Sequence, residues 1–153
     1  MSIRQRVLDA EALLKSNRIE GAWIQAMIAM AATARKRYPK PIPDNQAFKL
    51  YVRDISWTIF TGAPKPPNLQ SGQVLFRLGE RAFEDVLYKD FRNPWIHEAA
   101  LDTAGLSVSK IEGDKVIETL VVGENTQLPE NWVLNLINAI RWSAENAEEF
   151  TEK

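Results

Sequence analysis

Proline restricts this chain more than any other residue. The sequence holds eight prolines, most of them in two groups: Pro39, Pro41 and Pro43, then Pro64, Pro66 and Pro67, with Pro94 and Pro129 alone. Proline lacks the amide hydrogen and its ring clashes with the preceding turn, so no regular helix runs through either group. The stretches between the prolines are therefore the folding units. Most of them carry apolar residues at helical spacing.

Ser2 to about Lys15 reads as a first helix, with Ile3, Val7, Ala10 and Leu14 on one face, and Ser16-Asn17 is a polar break. A second helix from about Ile19 to Tyr38 carries Trp23, Met27, Met30 and Ala34. Its other alanines favour helix and allow a close neighbour. Asp44 reads as the N-cap of a third helix with Phe48, Val52, Ile55 and Ile59 as its stripe, and Gly62 follows it. The Pro64–Pro67 segment reads as a stiff surface loop, with a PxxP ligand as the alternative. A fourth helix begins near Leu78, uses Phe83, Val86, Leu87 and Phe91, and leads directly into Arg92.

After Leu101-Asp102 the period changes from helical to alternating. Leu106-Ser107-Val108, the turn signal Glu112-Gly113-Asp114 and the β-branched run from Val116 to Val122 together predict a β-hairpin over about 106–122. Pro129 suits the first turn of a last helix with Val133, Leu136, Ile137 and Ile140, and the acidic tail from Glu145 is expected to fray. The expected fold is mainly α: a bundle of about five helices with a hairpin inserted before the last, forming one domain over residues 1–153.

Composition removes several functions. With no cysteine there is no disulfide framework, thiolate nucleophile or Cys-based zinc site. No apolar stretch is long enough to span a bilayer, and Met1-Ser2-Ile3-Arg4-Gln5-Arg6 leads into an amphipathic pattern, not a secretory one, so an unprocessed cytoplasmic chain is expected. A formal net charge of −1 argues against a protein that coats nucleic acid through general phosphate neutralisation. It leaves room for a local basic patch, and Arg35, Lys36, Arg37 and Lys40, around Tyr38, are the candidate RNA-binding residues. Their alternative is a solvated helix C-terminus, where cations complement the dipole. Trp23, Trp57, Trp95, Trp132 and Trp142 lie among apolar residues and read as core, with base stacking as the alternative.

His97 is the only histidine. A histidine-rich metal site within one chain is therefore impossible, no carboxylate cluster suggests two metals, and there is no G-x-S-x-G, Walker A or G-x-G-x-x-G motif. No metal or other cofactor is expected. The remaining chemistry lies in Tyr88-Lys89-Asp90-Phe91-Arg92-Asn93-Pro94-Trp95-Ile96-His97-Glu98. Metal-free RNA cleavage needs a base for the ribose 2′-OH, an acid for the leaving 5′-oxygen and a cation on the phosphate. Histidine titrates near neutrality, and the arginine fork binds two phosphate oxygens while always charged. The structural alternative is a histidine bonded to a carboxylate and an arginine paired with Asp90, Glu98 or Asp102.

Arg92, the polar Asn93 and His97 resemble the R-x4–6-H motif of the HEPN superfamily, with four residues between Arg and His. The resemblance is tight over the motif and loose over the helices, and the hairpin is no part of a minimal HEPN bundle. It implies an endoribonuclease acting as a homodimer, with a composite cleft across a two-fold axis and 2′,3′-cyclic phosphate products. Arg92 would hold the phosphate and His97 would move protons. Asn93, Glu98 and Tyr88 would support them. Phage defence and toxin–antitoxin systems are the settings the resemblance suggests. Pro94 departs from a continuous helix, which ends or kinks near Asn93, and this either brings Arg92 and His97 together or separates them. The alternative functions are a non-catalytic dimerisation or partner-binding module, such as an immunity, antitoxin or adaptor protein, and a small-molecule binder with an apolar pocket.

Overall fold

The computed structural model describes residues 2–70, 74–92, 104–107, 110–122 and 126–151. Among these, five α-helices dominate and the strands are short: α1 Ile3–Lys15, α2 Ile19–Arg37, α3 Asp44–Thr61, β1 Arg77–Leu78, β2 Arg81–Ala82, α4 Phe83–Val86, β3 Ala104–Ser107, β4 Lys110–Glu112, β5 Lys115–Ile117, β6 Thr126–Pro129 and α5 Trp132–Trp142. The fold is the mainly α bundle expected, with a small hairpin before the last helix.

Helices α1 and α3 stop for visible reasons. Ser2 caps α1 by accepting from the Gln5 amide at 3.0 Å. At its far end Asn17 takes a left-handed φ of 58°, and the amides of Arg18 and Asn17 bond the carbonyls of Leu13 and Leu14 at 2.8 and 3.1 Å. That is a Schellman closure, in which asparagine replaces the usual glycine. Gly62, at φ 74°, closes α3, and the Asn135 side-chain amide from α5 reaches the free Ile59 carbonyl at 2.8 Å.

Helix α2 is the hub, packed against α1, α3 and α5. Contact on three sides explains why its buried residues, Ala22, Trp23, Ala26, Met27, Ala29, Met30, Thr33 and Ala34, cover more than a single stripe. The apolar stripes read from sequence on α3 (Phe48, Val52, Ile55, Ile59), on the fourth segment (Phe83, Val86, Leu87, Phe91) and on α5 (Val133, Leu136, Ile137, Ile140) are all buried. The Trp23 indole donates to the Glu130 carbonyl at 3.0 Å, so its one polar atom is satisfied in the core. Trp132 is also buried, whereas Trp142 is half exposed and Trp95 lies outside the described residues. Phe60 meets Phe76, Phe83 and Trp132 at 4.5–4.9 Å between ring centroids and joins α3, the residue before β1, α4 and α5 in one aromatic cluster.

The structure corrects five local expectations. Helix does not begin near Leu78: Arg77–Leu78 and Arg81–Ala82 pair antiparallel, with Gly79 at φ 64° in the turn, and α4 starts at Phe83. The hairpin is shorter than 106–122, because the Gly113-Asp114 turn pairs Glu112 with Lys115 and closes β4 on β5. Leu106 and Ser107 pair instead in parallel with Leu128 and Pro129. Pro129 therefore ends β6, and α5 starts at Trp132. Asp44 is the first residue of α3, with Pro43 in the capping position, and its carboxylate turns to Arg35.

The acidic tail is held by ion pairs. Glu149 accepts from the Ile3 and Arg4 amides at the N-terminus of α1 and pairs with Lys36 at 2.7 Å. Glu145 binds Arg37 through both oxygens, at 2.6 and 3.1 Å. Asn146, fully buried, donates to Thr33 Oγ1 at 2.9 Å and to the Ile140 carbonyl at 3.0 Å.

Candidate functional site

Arg92 ends a π-helical turn, Leu87–Arg92, that continues α4. A π turn takes up an extra residue and re-aims the side chains after it. Leu87 and Phe91 stay in the core while Arg92, half-buried, reaches the space between α2 and α3. Its guanidinium lies 5.3 Å from the centre of the Tyr88 ring and 6.0 Å from that of Phe48. The two rings pack on each other at 5.6 Å. Tyr88, placed one turn before Arg92 by sequence, thus supports its guanidinium from beneath.

The space Arg92 borders is a cleft of about 340 Å³. Helix α2 contributes Ile28, Ala31, Ala32 and Arg35, at the i, i+3, i+4, i+7 spacing of one face. Helix α3 contributes Asp44, Ala47 and Phe48. The walls are apolar and the rim is charged, which is the composition of small-ligand pockets. Arg35 is fixed there by three bonds, to the Tyr38 and Ile42 carbonyls at 3.0 and 2.8 Å and to the Asp44 carboxylate. The Arg35 hydrogen bond, its charge, and the charges of Lys40 and Arg92 hold the exposed Asp44 carboxyl below the usual carboxylate range. Three cations that sequence assigned to two separate features, Arg35 and Lys40 in the basic run and Arg92 in the motif, therefore act on one carboxylate.

The rest of the basic run points elsewhere. Lys36 and Arg37 clamp the C-terminal segment through Glu149 and Glu145, and Arg37 also bonds Asp54 at 3.1 Å. Asp90, offered by sequence as a partner of Arg92, is instead gripped by Arg81 at 2.7 and 3.2 Å. Asn93, His97 and Glu98 lie outside the described residues, as do Pro94 and Asp102. Among the described residues no three acidic or histidine side chains gather as a cation site, and no helix is long and apolar enough to cross a membrane.

Sequence reading did not pick out Asp44, Ala47, Phe48 and the Ile28-Ala31-Ala32 face as lining residues. The signal was present: Ala31 and Ala32 are small residues on the α2 face that ends in Arg35, and they leave space beside a charge. A larger space, about 750 Å³, lies at the α1–α2 turn, but its charged residues are Arg18, Glu20 and Glu130, net negative and without an aromatic wall. Chemically the Arg92 cleft can hold a phosphate against guanidinium groups and cover an apolar group beside it.

No curated protein and no solved structure matches the chain. A family model described as Rv1289 matches residues 2–153, and the chain belongs to that family.

Proposed function

We propose that this protein is a metal-independent endoribonuclease of the HEPN type, in which Arg92 holds the scissile phosphate and His97 carries protons. The observation that supports it most is the Arg92 guanidinium, 5.3 and 6.0 Å from the ring centres of Tyr88 and Phe48, at the border of a cleft it shares with Arg35. In the proposed reaction a base removes the 2′-OH proton, the 2′-oxygen attacks phosphorus, and the 5′-oxygen leaves with a proton from an acid. The products are a 2′,3′-cyclic phosphate and a 5′-hydroxyl, and no co-reactant is consumed. Arg92 neutralises charge that grows on the phosphate oxygens. One imidazole per chain serves as base or acid, and a second copy of the chain in a homodimer supplies the other. Asn93 and Glu98 orient the phosphate and the imidazole.

A second reading, a non-catalytic partner-binding module, draws on the ion pairs of Arg35, Lys36 and Arg37, which spend much of the basic run inside the molecule. Purified protein is incubated with total RNA in EDTA, beside His97→Ala and Arg92→Gln. The nuclease reading expects cyclic phosphate ends from wild type and a loss of about 10²-fold or more in each variant. No cleavage by wild type, or equal cleavage by all three, overturns it. Loss of dimerisation in the variants, without cleavage in any preparation, establishes the module.

A further inference from the structure

We propose that the cleft between α2 and α3 is a mononucleotide pocket, which takes one flat base against its alanine wall and the attached phosphate at its cationic rim. The inference rests on Arg92 as a phosphate-holding group, as argued above, and not on cleavage. It begins with size. At about 340 Å³ the cleft stands at the small end of ligand pockets, suited to one compact ligand and too small for an extended one. Its walls are made by Ile28, Ala31 and Ala32 of α2 and by Ala47 and Phe48 of α3. The single methyl groups of Ala31, Ala32 and Ala47 leave room between the helices, and with Ile28 and Phe48 they make an apolar surface on which a planar ring can lie.

The rim supplies the second half. Arg35 and Arg92 border the slot with Asp44, two cations against one carboxylate, so the rim is net positive. Asp44 is exposed on its side chain to 81% and already pairs with Arg35. An anion arriving at Arg35 must exchange with that carboxylate. A simple carboxylic acid offers the cations no more than Asp44 does, whereas a phosphate brings more acceptor oxygens and, as a monoester, more charge. The rings of Tyr88 and Phe48 restrain the Arg92 guanidinium in advance, so less freedom is lost when it meets an anion. Apolar slot and phosphate rim together describe a nucleotide, whose source is either a free nucleoside monophosphate or one residue of an RNA strand. Asp44 then acts as an internal competitor that lowers affinity until a phosphate replaces it.

The test is calorimetric titration at low salt with the four nucleoside monophosphates, adenosine, inorganic phosphate and a short single-stranded RNA. At least one monophosphate is expected to bind about tenfold or more tighter than adenosine or phosphate alone. Arg92→Gln and Ala32→Leu, which fills the slot, should abolish that preference, and Asp44→Asn should tighten binding. If Ala32→Leu fails to fold, alanine-methyl NMR of wild type replaces it, with shifts expected at Ala31, Ala32 and Ala47. Binding of RNA without monophosphate assigns the strand as source, and binding of both assigns either. No binding of either, equal binding of bare phosphate, or no response at the slot overturns the pocket. RNA cleavage without nucleotide binding sinks this inference alone. Nucleotide binding without cleavage sinks only the nuclease.

Discussion

Replacing Arg37 with methionine tests how the C-terminal segment is held. Arg37 Nε and Nη2 bond both oxygens of Glu145 at 2.6 and 3.1 Å, and Nη1 bonds Asp54 at 3.1 Å. Methionine keeps much of the stem and removes all three charge-assisted bonds, leaving two carboxylates without their shared cation. Truncating one partner of a fully buried pair costs about 3–5 kcal/mol. Here the side chains of Arg37, Asp54 and Glu145 are 25%, 8% and 23% exposed, so water recovers part of the loss. The expected cost is about 2–3 kcal/mol. At this chain length each kcal/mol moves Tm by about 2–4 °C, so Arg37→Met should melt about 5–10 °C below wild type by circular dichroism. The pH dependence supplies a second check. The Arg37 hydrogen bond lowers the Glu145 pKa below its ordinary 4.5 in the folded state. A lowered folded pKa stabilises fully above the unfolded value and is lost as pH falls through the folded one. The gap between wild type and variant should therefore be full at neutral pH and shrink below about pH 4.5. A variant that melts within about 1 °C of wild type at neutral pH refutes the clamp.

Two further substitutions probe the same frame. Asn146→Ala removes a buried amide shared by Thr33 and the Ile140 carbonyl and should cost about 1–3 kcal/mol in urea unfolding; no change would mean that the tail does not seal the core. Gly62→Ala forces alanine into φ 74° with its Cβ 3.2 Å from Asn135 Oδ1, and should destabilise by about 1 kcal/mol or more, whereas a rise in Tm would contradict the capping geometry.

The helices were legible because their signals are local. The 4, 3, 4 spacing of Phe48, Val52, Ile55 and Ile59 needs only one buried side, and the structure supplies it. Where sequence reading went astray, a tertiary partner decided. Nothing local tells that Glu145 and Glu149 meet Arg37 and Lys36 across more than a hundred residues, so a charged tail looked free to fray. Pro129 is acceptable both at a helix start and on a strand edge, and its pairing with Ser107 chose the strand. Gly79, at φ 64°, closes the turn between β1 and β2, and the pairing of those strands moves the helix start to Phe83. At the candidate site, Arg92 and Arg35 were each visible, but their meeting at one cleft depends on how α2, α3 and the turn that carries Arg92 pack.

Because the sequence contains one histidine, its imidazole gives a single, self-assigning pair of proton resonances. Following those resonances while a cleavage-resistant 2′-deoxy dinucleotide is added asks directly whether His97 and Arg92 serve one phosphodiester. The account predicts saturable shifts in wild type that vanish in Arg92→Gln. An imidazole signal that stays still while the ligand binds would contradict it.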